Sequence, residues 1–186
     1  MPLPWYARIT AHRFVRLYAA TMSHTYARNY LHLIFATKLR CRILKADARE
    51  IAHNEIRRAA LEYQVAIDTM GGTEEHVHLL VQLPPKIAAA VFVRALKAKS
   101  SKAMNDRGYP FSWQEGYGCF SVSTSNVAAV RKYIEGQESH HRKRTFDEEF
   151  ALILDRNGFP PEPPREEPSS CVDGASDPDP GLPPGL

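Results

Sequence analysis

The chain has 186 residues and a mass of 21.0 kDa, with 44% hydrophobic and 24% charged residues, enough for one globular core without covalent staples. Three cysteines, far apart and without a Cys-x-x-Cys spacing, exclude a disulfide framework or a zinc ribbon, and the apolar run Ile87 to Val93 is far short of the roughly 20 residues of a membrane span. The net charge of +3 conceals an asymmetry: residues 160–186 hold one Arg and six acids, which leaves +8 on residues 1–159 and suits a polyanionic partner.

The ends differ from the middle. Residues 1–21 contain three Arg, no acid and no continuous apolar run, so they read as a leader or a mispredicted start before the more natural opening at Met22. Tyr30 to Thr37 is a short apolar and aromatic run, expected as a buried strand. Asp47 and Glu50 mark a helix start, followed by Ile51, Ile56, Ala59, Ala60 and Tyr63 at helical spacing. Val65 to Met70, a turn at Gly71-Gly72-Thr73-Glu74, and His76 to Leu83 predict a hairpin. Pro84-Pro85 ends it, and Lys86 to Asn105 is an amphipathic Ala-rich helix closed by Gly108. Trp113 to Val122 reads as an interrupted strand. Ser125 or Asn126 caps a helix from Val127 to His141, and Thr145 with Glu148 caps another ending at Gly158. From Pro160 the chain is Pro-rich and acidic, a disordered tail.

This order predicts an α+β, ferredoxin-like (split βαβ) antiparallel sheet over residues 22–159, with helices on one face and extra C-terminal helices. The opposite sheet face is expected to be free to work.

Two features carry chemistry. His76 and His78 alternate with Val77 on a strand, so both imidazoles leave one face and could share a divalent ion, though two histidines on a wet strand are by themselves a weak signal. Tyr133, Gln137, His140 and Arg144 fall on one helical stripe, placing a hydroxyl nucleophile beside an amide oxygen; without the histidines, Tyr133 reads more readily as a packing residue and Gln137 as a solvated one.

Together these residues resemble the single-tyrosine HUH transposases, the IS-two-hundred-like group and its relatives associated with repetitive extragenic palindromes. Five blocks appear in order: Tyr30-Leu-His-Leu-Ile-Phe-Ala-Thr-Lys38, preceded by Tyr26; Glu75-His-Val-His-Leu-Leu80; Trp113-Gln-Glu-Gly-Tyr-Gly-Cys-Phe-Ser-Val122; Tyr133-Ile-Glu-Gly-Gln-Glu-Ser-His-His141; and Phe146-Asp-Glu-Glu-Phe150. The resemblance implies cutting of single-stranded DNA next to hairpins through a covalent 5′-phosphotyrosine link. It implies Tyr133 as nucleophile, His76, His78 and Gln137 as ligands of a divalent metal, Mg or Mn, and a bacterial-type cytoplasmic, nucleoid-associated protein. Monomer and homodimer both remain open, and no membrane is involved.

Arg94, Lys97, Lys99, Lys102, Arg131, Lys132, Arg142, Lys143 and Arg144 are candidates for contacts to the DNA backbone, with Tyr117 or Phe120 available for base stacking. For any single one of these cations a solvated helix face is the plainer reading. Gly136, between Tyr133 and Gln137, should weaken its helix by about 1 kcal/mol relative to Ala. Three alternatives compete: a domesticated relative that only binds hairpin DNA, another HUH nuclease such as a replication initiator or relaxase, and a non-enzymatic RNA-binding module with the same strand order. The last lacks the Lys/Arg-Gly-aromatic run that such modules carry.

Overall fold

A computed structural model describes residues 26–137 and 145–160. The leader, residues 161–186 of the tail, and His140, Arg142, Lys143 and Arg144 of the site expectations lie outside the described residues. Four strands, β1 (Asn29–Ala36), β2 (Ala66–Gly72), β3 (His76–Leu83) and β4 (Gly118–Val122), form one sheet in the order β2-β3-β1-β4. Every neighbouring pair is antiparallel. The helices lying wholly within the described residues are α1 (Ala46–Glu62), α2 (Ala89–Asn105), α3 (Val127–Glu135) and α4 (Phe146–Arg156). This is the expected α+β, split βαβ arrangement, with the two central strands β1 and β3 carrying the most apolar sequence.

Strand alternation sorts the sheet into two faces. Leu33, Phe35, Val77, Leu79 and Val81 point to one side and form the main core with α1 and α2. On α1 the buried positions Ala48, Ala52, Ile56, Ala59 and Ala60 recur at helical spacing, and their small side chains let α2 lie close, presenting Phe92, Val93, Leu96 and Met104. Trp113 plugs the end of this core, edge-on to Phe35 at 4.7 Å and donating from Nε1 to Ser100 Oγ at 2.8 Å.

The other face is not free, as expected from sequence, but roofed. Ile34, Ala36 and Phe120 pack with Phe146 and Leu154 of α4 in a second apolar cluster, and α3 crosses β2 and β3. Two glycines permit this roof. A Cβ on Gly71 would stand 2.4 Å from the Ile134 carbonyl oxygen, and one on Gly118 would stand 2.8 Å from Phe120 and 3.1 Å from Phe150.

Several element ends differ from expectation for local reasons. Gly71 and Gly72 are the last residues of β2, and the turn passes to Thr73–Glu75, closed by Thr73 N–H donating to the His76 carbonyl at 3.0 Å. Helix α1 begins at Ala46 with Lys45 in the capping position and no side-chain cap, Asp47 lying inside its first turn. Helix α2 begins at Ala89 rather than Lys86. Strand β4 is only Gly118–Val122, and Trp113 pairs separately with Thr37 across a single bridge, so the predicted strand is interrupted. A 3-10 turn, Thr124–Asn126, leads into α3, and neither Ser125 nor Asn126 caps it with a side chain. Helix α3 ends at Glu135 with Gly136 as its C-cap, and the expected end at His141 lies outside the described residues.

The start of α4 is as expected. Thr145 accepts from the Glu148 N–H at 3.3 Å while the Glu148 carboxylate accepts from the Thr145 N–H at 2.9 Å, a reciprocal capping box. Replacing Thr145 by Ala should destabilise the protein by about 1 kcal/mol, read as a lower denaturation midpoint with unchanged m-value. A midpoint equal to wild type would show that apolar contacts alone hold α4 in place.

Candidate metal centre beneath the roof

The roofed face concentrates polar groups where an apolar core would otherwise be. His76 and His78 on β3 have no solvent exposure, His32 on β1 is buried, and Gln137 and Glu149 reach down from the roof and are also buried. Register explains the histidines. His76 faces Ala36, His78 faces Ile34 on one side and Gly71 on the other, and His32 lies one pleat along β1 on the same face. The glycine and alanine neighbours leave room for the rings.

Each strand histidine is held by its Nδ1. His76 Nδ1 lies 3.0 Å from Thr73 Oγ1, and His78 Nδ1 lies 2.8 Å from His32 Nε2, the two rings stacked with centroids 5.1 Å apart. Their Nε2 atoms face inward. His76 Nε2 lies 3.5 Å from Gln137 Oε1, and His78 Nε2 lies 3.9 Å from Glu149 Oε1. Gln137 in turn donates from Nε2 to Glu149 Oε1 at 2.8 Å. Phe146 lies tilted against His76, ring centroids 4.1 Å apart, fixing the first turn of α4 above the site.

The donor set suits a divalent ion. Donor atoms of His76, His78 and Glu149 all lie within 4.8 Å of one another, roughly the span that ligand bonds of about 2.1–2.3 Å produce across one ion. Two imidazoles whose outer nitrogens are fixed by Thr73 and His32 are the pattern of oriented metal ligands. Burial shapes the titration of the cluster: desolvation lowers His32 to about 4, so it is neutral at pH 7, and raises the Glu149 carboxyl to about 7.

Tyr133 sits on α3 at the edge of this cluster. Its ring meets those of His78 and His32 edge-on, at 5.9 and 6.1 Å. A cavity of about 720 Å³ between β4, α3 and α4 opens onto Tyr133, His32 and Glu149, with Phe120, Arg156 and Asn157 on its walls. The structure brings His76, His78, Tyr133 and Gln137 together, although the helix carrying Tyr133 ends at Glu135 and Gln137 follows the break at Gly136. Sequence spacing missed His32, Thr73 and Glu149. Two signals were available: His32 shares strand parity with Ile34 and Ala36, and Glu149 interrupts the apolar stripe Phe146, Phe150, Ile153 of an otherwise amphipathic helix.

Among the described residues, the expected cations of α2 do not converge on the site. Arg94, Lys97, Lys99 and Lys102 lie on α2, which packs on the other face of the sheet. Lys97 donates to the carbonyls of Gln114 and Gly116 at 2.6 and 2.7 Å, Lys99 pairs with Glu62, and Lys102 pairs with Asp106 at 2.6 Å. Arg94 is exposed beside Lys97 and Tyr117 on a shallow hollow. On α3, Arg131 makes a bidentate pair with Asp68 of β2 at 2.7 Å, and Lys132 is exposed.

Comparison with known proteins agrees with this architecture. A family model described as "Transposase IS200 like" matches residues 25–137. The ISDra2 transposase TnpA of Deinococcus radiodurans is 31% identical over 115 residues, covering 57% of this chain and 81% of the relative. The transposase for insertion sequence element IS200 of Salmonella typhimurium is 26% identical, covering 63% of this chain and 82% of the relative. A solved structure of a Deinococcus radiodurans protein provisionally assigned as a transposase superposes with a TM-score of 0.52 at 25% identity, covering 63% of this chain and 97% of that one. The fold also matches a REP-associated tyrosine transposase solved bound to a REP hairpin, with a TM-score of 0.53 at 15% identity, covering 66% of this chain and 74% of that one.

Proposed function

Because the chain belongs to the IS200-like transposase family, we propose that it cuts and rejoins single-stranded DNA beside a hairpin, using Tyr133 as the nucleophile. The observation that carries this reading is the placement of Tyr133 against the chain's own His78 and His32, on a cavity that the buried His32 and Glu149 also line. That placement favours a tyrosine acting within its own subunit, so a monomer would suffice.

In the reaction, the Tyr133 oxygen attacks the scissile phosphorus, the bond from phosphorus to the 3′ oxygen breaks, and the freed 3′ hydroxyl takes up a proton. The product is a 5′-phosphotyrosine, and attack by a 3′ hydroxyl reverses it, conserving the phosphodiester energy. A divalent ion, Mg or Mn, held by His76, His78 and Gln137 would supply positive charge to the phosphate oxygens. The protein's part is orientation. The hydrogen bond between His78 Nδ1 and His32 Nε2 leaves His78 Nε2 facing inward, and the hydrogen bond between His76 Nδ1 and Thr73 Oγ1 does the same for His76. The Gln137 amide is fixed by its donation to Glu149, which turns its oxygen towards His76.

The substrate path follows the cavity. Phe120 offers a stacking surface, Arg156 a cation for the backbone, and Lys132 an exposed charge next to Tyr133. Arg131 serves first to clip α3 to β2 through Asp68. DNA contacts at Arg94, Lys97, Lys99 and Lys102 would require the strand to pass round to the α1–α2 layer. The RNA-binding alternative is disfavoured because the sheet face it would use is buried under α3 and α4.

The test is a denaturing gel of protein incubated with Mn and single-stranded oligonucleotides spanning a palindrome. A covalent adduct from wild type, absent without metal and reduced at least 100-fold in His76→Ala, is expected. Tight hairpin binding without an adduct would instead identify a domesticated binder.

A further inference from the structure

We propose that Glu149 is a fourth protein ligand of the metal site, a carboxylate delivered by α4 from outside the segment that matches the family model. The inference rests on the metal site proposed above and adds to its ligand set.

Helix α4 buries Phe146 and Leu154 against β1 and β4, with Phe150 and Ile153 packed alongside. Glu149 stands in the middle of this apolar stripe at 8% exposure, where a carboxylate is costly unless it has partners. Its neighbours on the same helix, Asp147 and Glu148, are exposed. The burial is imposed by construction: the capping box starts the helix at Phe146, and Phe146 lies against His76, so the next inward-facing position falls over the histidines. Glu149 Oε1 is 2.8 Å from Gln137 Nε2 and 3.9 Å from His78 Nε2. The second distance is too long for a hydrogen bond and of the length expected between two ligands of one ion.

The chemical consequence is a change in the character of the site. Two imidazoles and an amide oxygen are all neutral, whereas an added carboxylate supplies negative charge and a second hard oxygen donor, which favours Mg and Mn over softer ions. A carboxylate that merely braced Gln137 would need only its acceptor oxygen. Glu149→Gln separates the two roles, because it keeps the shape and the acceptor while removing the charge.

Full-length, metal-free protein should be titrated with Mn(II) and free Mn(II) followed by its electron paramagnetic resonance signal. Glu149→Gln is expected to weaken Mn(II) binding at least tenfold, whereas Asp155→Asn, which removes an exposed charge from the same helix, leaves it unchanged. Wild-type affinity in Glu149→Gln, with binding lost in His76→Ala, would overturn the role of Glu149 alone. No Mn(II) binding by wild type would instead overturn the metal-site reading. Should Glu149→Gln fail to fold, Glu149→Leu removes the carboxylate within the apolar stripe of α4, and wild-type affinity there would also overturn the proposal.

Discussion

Replacing Tyr133 by Phe should abolish the covalent protein–DNA adduct, a loss on the order of 10³-fold or more, while leaving the fold and hairpin binding intact. The phenol ring is what packs: it meets His78 and His32 edge-on at 5.9 and 6.1 Å, and Phe preserves both contacts. Only the oxygen is lost, and with it the proposed nucleophile. The melting temperature and the affinity for a hairpin oligonucleotide should therefore stay near wild type. An adduct of undiminished yield in Tyr133→Phe would rule out Tyr133 and direct attention to another hydroxyl. Parallel loss of adduct and of hairpin binding would show that the ring's environment, rather than nucleophilic attack, had been disturbed.

The second large effect is expected far from any reacting atom. Gly71→Ala introduces a methyl 2.4 Å from the Ile134 carbonyl oxygen and 3.1 Å from Ile134 Cγ2. The obstacle is backbone, so no rotamer change relieves it, and α3 must lift from β2. Overpacking of this kind costs about 1–3 kcal/mol, a fall in melting temperature of about 3–12 °C for a domain of this size. Ile134 adjoins Tyr133, so lifting α3 also displaces the proposed nucleophile. A misplacement of about 1 Å can lower the rate about 100-fold, and adduct formation should drop accordingly. Wild-type stability together with wild-type adduct yield in Gly71→Ala would show that α3 does not seat on the sheet as described. Loss of stability with full adduct yield would separate the seating of α3 from the placement of Tyr133.

Both effects bear on the roof over the sheet, which the sequence made only partly legible. Residue types at fixed spacing identified the strands, the helices and their order, because a period of two or of 3.6 is a local property of the chain. The same logic put His76 and His78 on one face and put Tyr133 near Gln137. The capping box at Thr145 and Glu148 was readable because its partners are three residues apart. Charge and composition pointed to a polyanionic partner but did not show which cations are already paired within the fold. On α2, Lys102 pairs locally with Asp106, but Lys97 and Lys99 are engaged with Gln114, Gly116 and Glu62, partners as far as 37 residues away that no local pattern announces.

By itself, then, the sequence determined the α+β order, the parity of each strand and the histidine, tyrosine and amide side chains from which the candidate centre is assembled. Tertiary structure alone decided what covers the second face. Parity states which side chains share a face and is silent on whether water or a helix lies above it. The answer depends on Gly71 and Gly118 leaving space for α3 and α4, and on Phe146 seating against His76. Once α4 is seated, burial turns Glu149 from one acid among three on its first turn into part of a cluster with His76 and His78. Pairing of β1 with β3 recruits His32, 46 residues from His78, by the register of their hydrogen bonds. These contacts are long-range, fixed by packing and hydrogen bonding between elements, and they exist only when the chain is folded.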